Sequence, residues 1–587
     1  MKPVLVVGDN AMAGLQTVRS LGRAGVPVEL VAFESSRITR RSRYVRRVHD
    51  LGHPLRETAT FLERFLSLVS STDYQLALPT SDAGLIPLVQ CFDQVKRHIT
   101  VAAPPPNVFD VAHHKRLTVR LAQQLGIDVP ATVFLPDEDQ GQIEQLGFPL
   151  VLKPDCSLRA GRSRPAAVRV VHHRDGLDQL LPEMLADGDV LAQQYCPGFG
   201  RGIGVLADRG VVSAAFQYRR VHEPPAGGPS TYRVSEPLCE QLFSGVTAFC
   251  EAANWSGPAM FEYKVCPVSG RHVLMEVNGR MWGSIALAIK SGVDFPRLIY
   301  RQFAQGHREQ VRSYRAPYYV RNVSRDLYWL QANLRAPRGR ADIRRVPLRQ
   351  VAAEWLHPLR LRESPELESA RDPLPGLVGW REFFAELAGD IRGRLGGLRD
   401  RRLAKRLVRR MRQDREAVSA RLRAARSVLF VCVGNINRSA LAKQALEDRC
   451  SESDRRLTIA AAGTLDRPGR STSGLSLQVA HRLGVDLSKH RSTTLSVETL
   501  RASDVIFVMD ADQLGTIRQL DPESLQRTYL LGGLAPDAGG TEIPDPFGER
   551  QAEFEKVYRR ILCCVETLAE ALSAERDKAT RESKLAM

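Results

Sequence analysis

Short apolar runs ending in glycine or polar turns alternate with longer stretches of helical period along most of this chain, the pattern of an α/β protein. Residues 2 to 35 open with KPVLVVGDNAMAGLQTVRSLGRAGVPVELVAF, read as strand, glycine turn, helix and strand, a Rossmann-like start. Gly8 and Gly14 bracket GDNAMAG, which lacks the G-x-G-x-x-G order, so the turn is read as packing a helix on a sheet and not as a dinucleotide site. QLALPTSDAG at 75 to 84 repeats the strand and polar turn, and PPPN at 104 to 107 closes this unit. A different pattern then runs to about residue 300. Asp110 to Leu125 has helical period and carries Lys115, GFPLVLKPDCS places Lys153 at a strand end, and VLAQQYCPG, AMFEYKV and HVLMEVNGRMWGS supply further strands. Residues 300 to 390 are mixed, with Trp329, Trp355, Trp380 and a DPLPG turn at 372 to 376. Leu403, Leu407, Met411, Val418 and Leu422 then fall at helical intervals in an arginine-rich segment. From Ser427 the runs VLFVCV, LTIAAAG, VIFVM and TYLLGG alternate with helical stretches, as in a parallel sheet. A closing helix is expected from Gln551 to about Ala574, and the tail RDKATRESKLAM is expected to be loose.

At 587 residues the chain is long enough for roughly three to four domains. Hydrophobic content of 43% with 25% charged residues excludes wholesale disorder. MKPVLVVGDN runs straight into a strand without the charged-then-apolar order of a signal peptide, and no apolar run reaches the ~18 residues of a membrane span, so a cytoplasmic location is expected. Ten cysteines are dispersed without CxxC spacing, and neither a disulfide framework nor a zinc site is expected. The pairs His113/His114 and His172/His173 have no metal-ligand spacing and are read as surface or packing residues. Of the net charge of +17, about +11 lies in residues 392–426. That segment is read first as an amphipathic linker helix packed on a neighbour, second as a contact with an anionic membrane surface, and only third as a nucleic-acid contact, since no reading motif accompanies it.

The sharpest chemical signal is Val428 to Ala440, VLFVCVGNINRSA, where a strand empties through a small loop into a helix start. Backbone N–H groups without partners and the helix dipole should attract an anion such as phosphate, favour the thiolate of Cys432, and let the Arg438 fork grip two phosphate oxygens. Spacing alone is weak, because Cys91/Arg97, Cys156/Arg162 and Cys450/Arg456 share it. The preceding strand, Gly434, Asn435 and Ser439 distinguish this pair.

Two resemblances follow. VCVGNINRS, AAGT at 461 to 464, KHRS at 489 to 492, VMD at 508 to 510 and PDPFG at 544 to 548 resemble the low-molecular-weight protein tyrosine phosphatases. That resemblance implies Cys432 as the nucleophile forming a phosphocysteine, Arg438 as the phosphoryl grip and Asp545 as acid and then base. Asn435 would brace the loop, Ser439 would stabilise the departing thiolate, and no metal would be needed. Asn437 stands where a second cysteine is common, Ile436 matches the tyrosine-phosphatase form of the loop, and Phe547 replaces a common tyrosine.

The series Lys115, Lys153, VLAQQY, Glu262 and Glu276-x-Asn278-x-Arg280 resembles the ATP-grasp superfamily, near its carbamoyl-phosphate-synthase-like ligases. The implied assignments are phosphate oxygens on Lys115 and Lys153, an adenine hinge at Gln193, Gln194 and Tyr195, Mg2+ on Glu262, Glu276 and Asn278, and phosphoryl neutralisation by Arg280. Gln194 stands where Glu is frequent, and the loop DCSLRAGRSRPAA is glycine-poor. The implied reaction joins a carboxylate to an amine through an acyl-phosphate at the expense of ATP.

The expected organisation is a multidomain α/β chain. It has a Rossmann-like preliminary domain (1–106), ATP-grasp α+β lobes (107–325), an accessory extension (326–391), a basic helical linker (392–426) and a parallel-sheet phosphatase domain (427–575). A bifunctional enzyme is the leading reading. The alternatives are a regulatory scaffold whose ATP-grasp half only binds nucleotide or a partner, and a phosphatase whose substrate is a phosphorylated small molecule and not a phosphotyrosyl protein.

Overall fold

The computed structural model describes residues 1–8, 11–33, 37–158, 167–224, 228–336, 345–451, 457–535 and 540–573. The tail and residues 159–166 of the glycine-poor loop lie outside them. The chain forms two compact units, Met1–Val171 with Met184–Glu386, and His172–Glu183 with Leu387–Met587.

In the first unit, β1 (Val4–Gly8), β2 (Val28–Ala32), β3 (Val45–His49), β4 (Leu76–Pro79) and β5 (Thr100–Val101) form a parallel sheet in the order β3-β2-β1-β4-β5. Val4 to Val7 are fully buried, which explains their unbroken apolar run. Gly8 turns the chain out of β1 at φ +153°, and a Cβ there would meet Thr80 Oγ1 at 2.3 Å.

Two α+β lobes follow. The first holds β6 (Thr132–Leu135), β7 (Leu150–Pro154), β8 (Arg169–Val171) and β9 (Val190–Gln194) in the order β6-β9-β7-β8. The second holds β10 (Phe199–Asp208), β11 (Val211–His222), β12 (Tyr232–Glu236), β13 (Gly257–Val265), β14 (His272–Asn278), β15 (Tyr319–Arg321) and β16 (Glu363–Pro365), ordered β14-β13-β10-β11-β12-β15-β16. A Rossmann-like sheet followed by two α+β lobes is the order of layers expected from the sequence.

The extension is built onto the larger sheet. β16 pairs with β15, and the fully buried His222 at the end of β11 bridges Asp326 Oδ1 at 2.8 Å and Glu354 Oε2 at 2.6 Å. Burial alone would push the His222 imidazole down, but these two carboxylates win and hold it above its ordinary range. The expected turn at 372 to 376 is instead the start of a helix, Leu374–Gln413. Pro375 falls in the first helical turn, where a missing N–H costs nothing, so this proline opens the helix instead of breaking it.

In the second unit, β17 (Ser427–Cys432), β18 (Thr458–Gly463), β19 (Val505–Val508) and β20 (Thr528–Leu530) form a parallel sheet ordered β18-β17-β19-β20, and the helix Gln551–Ser573 closes it. The basic segment continues the helix Leu374–Gln413 and adds a second, Arg415–Ala424. Leu407, Met411 and Leu422 are buried in the cores beside this sheet, with Leu403 and Val418 partly buried there. These five residues therefore pack on protein, as the linker reading expects, while Leu395 and Leu398 earlier in the segment are exposed. Among the described residues no helix is long and apolar enough to cross a membrane.

Candidate active sites

Strand β17 delivers Cys432 to its carboxyl end, and the helix Arg438–Ser451 starts six residues later, so residues 433–437 fold around one point. Parallel sheets place reactive groups beyond their strand ends in this way. Cys432 is buried, with Sγ 3.0 Å from Ser439 Oγ and accepting the Asn435 N–H at 3.2 Å. Asn435 takes the left-handed conformation at φ +49°, tolerable for asparagine, and its amide is used at both ends. Nδ2 donates to Ser439 Oγ at 2.9 Å, while Oδ1 accepts the Thr493 N–H at 2.8 Å. The carbonyls are braced as well, Asn435 O by His490 Nε2 at 2.7 Å and Gly434 O by Arg470 Nη2 at 3.0 Å.

Arg438 is almost wholly buried and donates to Asp510 Oδ2 (3.0 Å), Ile543 O (2.9 Å) and Asp545 Oδ2 (2.7 Å). Burial would weaken its charge, but Cys432, Asp545 and Asp510 outweigh it and push the guanidinium above its ordinary range. The Asp545 side chain is 41% exposed, so the acid stands at the mouth of the loop, with the half-exposed Phe547 beside it. Asn437 is buried and accepts from Ser473 Oγ at 3.4 Å. All five residues expected from sequence thus meet at one point. Asp510, Thr493, His490 and Arg470 had no assigned role; VMD and KHRS were visible as segments, but which side chains turned inward was not.

In the first unit a cavity of about 250 Å³ is lined by Asp82, Lys115, Ser157, Glu276, Asn278 and Arg280, among others. Lys115 opens the helix Lys115–Gln124, and its buried Nζ donates to Ser157 Oγ at 2.7 Å. Glu262 on β13 lies opposite Glu276 on β14, and Met260 opposite Asn278, so antiparallel register sets the acidic pair side by side. Asn278 donates to Glu276 Oε1 at 3.2 Å and accepts from Arg280 Nη2 at 3.0 Å. Burial raises the Glu262 carboxyl despite its short bond to Arg220, and burial lowers both Lys115 and Lys153. For Asp82, burial loses to Arg280 at 2.9 Å, which holds the carboxyl below its usual range.

Lys153, Glu262, Gln193, Gln194 and Tyr195 do not line this cavity. Gln193 is buried on the central strand β9, its Nε2 on Thr132 Oγ1 at 3.0 Å, and the Gln194 N–H is bonded to Ala131 O at 2.9 Å. Asp82 and Arg220 went unassigned in the sequence, because each acts through a partner far along the chain, Arg280 and Glu262.

Residues 427–578 match the family model described as low molecular weight phosphotyrosine protein phosphatase. The low molecular weight protein-tyrosine-phosphatase Ptp of Acinetobacter johnsonii is 34% identical over 140 residues, covering 24% of this chain and 93% of that protein. The solved structure of the Erwinia amylovora tyrosine phosphatase AmsI is 30% identical, covering 25% of this chain and 94% of its own, at a TM-score of 0.24. Over the other half, an L-amino acid ligase from Bacillus licheniformis aligns at 16% identity, covering 52% of this chain and 74% of its own, at a TM-score of 0.41.

Proposed function

The chain belongs to the low-molecular-weight protein tyrosine phosphatase family through residues 427–578, and from that premise we propose that it hydrolyses phosphotyrosine-type monoesters through a phosphocysteine on Cys432. The observation that carries this is the convergence of Cys432, Asn435, Ser439, Arg438 and Asp545 at one helix N-terminus. An entering phosphoryl group would take the donors of Arg438 that now hold Asp545, freeing the carboxyl at the site's mouth. Cys432 Sγ then bonds to phosphorus as the P–O bond to the leaving group breaks, and Asp545 gives that oxygen its proton. In the second step Asp545 takes a proton from water, whose oxygen displaces sulfur, and Ser439 Oγ at 3.0 Å receives the returning thiolate. Cys432→Ser should release no phosphate from a phosphotyrosyl peptide, and parent-like hydrolysis by that variant refutes the assignment. Running phosphorylated metabolites beside the peptide separates a small-molecule substrate from a protein one.

For the first unit we propose a Mg-ATP-dependent carboxylate-amine ligase. The residues fit such a ligand: the buried Nε of Arg280 has no hydrogen-bond partner among the described residues, Lys153 lies in the field of Glu276 and Glu262, and Glu262, Glu276 and Asn278 offer hard oxygens suited to Mg2+. Lys115, Lys153 and Arg280 would hold phosphate oxygens, and the strand end at Gln193 to Tyr195 would hold the base. When bound, Mg-ATP would supply the phosphoryl group that activates a carboxylate for attack by an amine. A cytoplasmic location suits both halves, since ATP and reduced thiols are kept there. Release of ADP that depends on an added carboxylate and amine tests the reading; nucleotide binding without turnover under any such pair would favour a regulatory scaffold.

A further inference from the structure

The pair His113/His114, which has no metal-ligand spacing in the sequence, meets another adjacent pair in space. His114 Nδ1 is 2.7 Å from Asp155 Oδ2 and 3.2 Å from Cys156 Sγ, and that sulfur is 3.9 Å from Asp155 Oδ2. The His113 imidazole stands beside them, its ring 5.5 Å from that of His114 at 87°. The reason is topological. His113 ends the helix Pro106–His113, His114 precedes the helix Lys115–Gln124, and Asp155 and Cys156 leave the end of β7 against that junction. Asp155 and Cys156 are buried, while the His114 side chain is 38% exposed and able to turn.

We propose that His113, His114, Asp155 and Cys156 form a binding site for a borderline divalent transition metal, of which Zn2+ is the type. Ligand atoms held about 2.0 to 2.3 Å from a tetrahedral zinc lie roughly 3.3 to 3.7 Å from one another. The three measured separations fall within about 0.7 Å of those edges, and two imidazoles on one such centre stand about 5 Å apart. A carboxylate, a thiolate and two neutral imidazoles balance a divalent charge, and the thiolate selects against Mg2+ and Ca2+. The backbone N–H of Arg116 donates to Asp155 Oδ1 at 2.9 Å and its Nε stands 3.8 Å from Oδ2, so Arg116 orients the carboxylate from both oxygens while Oδ2 faces His114.

His113, Lys115 and Ser157 all line the 250 Å³ cavity, and Lys115 Nζ also donates to Asp155 O at 3.3 Å. A bound metal would thus lock a wall of that cavity, whatever the cavity holds.

The test is titration of the full chain with Co2+ in a Cys432→Ser parent, so that the phosphatase thiolate adds no signal. One equivalent should bind with tetrahedral d–d bands and a thiolate-to-cobalt charge-transfer band, be displaced by Zn2+ and resist excess Mg2+. Cys156→Ala should abolish the charge-transfer band, and His113→Ala and His114→Ala should each weaken binding at least about tenfold, with thermal unfolding confirming that the variants fold. X-ray absorption of the zinc-loaded parent, which needs no further variant, should find one sulfur in a shell of four. A parent without the band, a zinc shell without sulfur, or any of the three variants binding Co2+ as the parent does overturns the site.

Discussion

In the phosphatase loop, Cys432, Asn435, Arg438 and Ser439 come from one short stretch of backbone, and only the acid Asp545 arrives from elsewhere. In the proposed nucleotide cleft, Lys115 begins a helix, Lys153 lies near the end of β7, and Glu262 and Glu276 lie on neighbouring strands of a different sheet. The first centre inherits its geometry from a strand, a turn and a helix N-terminus, with Arg470, His490 and Thr493 bracing the loop from outside. The second exists only when two lobes have folded, and its charges meanwhile neutralise one another, Arg220 on Glu262 and Arg280 on Asp82. A change in the loop should therefore act on chemistry directly, whereas a change in the cleft should first alter ligand binding.

After loss of the nucleophile, the largest effect should come from the acid, which reaches the loop from elsewhere in the chain. Asp545→Asn keeps the shape and the bond to Arg438 but cannot give a proton, so kcat should fall about 10²- to 10³-fold. The loss should shrink for substrates whose leaving group needs no proton; an equal loss for good and poor leaving groups would remove Asp545 from the acid role. Asn435→Ala comes next. It strips the bonds to Ser439 and Thr493 and leaves alanine at φ +49°, so about a tenfold fall in kcat is expected with little change in KM. A rise in KM alone would mean that the brace serves binding instead.

These differences also explain what could be read in the sequence. VLFVCVGNINRSA was legible because its chemistry and its secondary structure occupy the same residues. Asp545 needed the family resemblance, since nothing local to PDPFG says which strand end it faces. The cleft was legible only as an order of residues along the chain, and Arg220, which pairs with Glu262, was invisible because register between β11, β10 and β13 decides that meeting. The partners of His114 were invisible for the same reason, since Asp155 and Cys156 lie 41 and 42 residues farther along the chain. The DPLPG segment failed differently, because a proline in a first helical turn and a proline in a loop look alike from sequence.

Glu276→Ala probes the cleft at a middling size. Removing one carboxylate of the pair should weaken Mg-ATP binding about tenfold by calorimetry while phosphate release by the other unit stays at the parent's rate. Unchanged nucleotide affinity would sink the proposed Mg2+ site, and a parallel fall in phosphatase rate would show that the two centres are not independent.

The smallest effect on either activity is expected at His222, which touches neither centre but ties the extension to the sheet that carries Glu262. Its imidazole is buried between Asp326 and Glu354 and stacks on Trp329 at 3.4 Å. Because its folded-state value is raised above the ordinary one near 6.5, its charge stabilises the fold fully below about pH 6.5 and less as pH rises through the folded value. Asp326 and Glu354 are both held low, burial notwithstanding, chiefly by their bonds to His222, so their share is present above the usual carboxylate range and is lost on acidification. The two signs together place the greatest benefit of the triad between about pH 4.5 and 6.5. His222→Gln should therefore lower the melting temperature most in that window, with the gap from the parent narrowing toward alkaline pH. Thermal unfolding of both proteins across pH measures it, and a gap that stays constant would mean that His222 contributes packing on Trp329 and no charge.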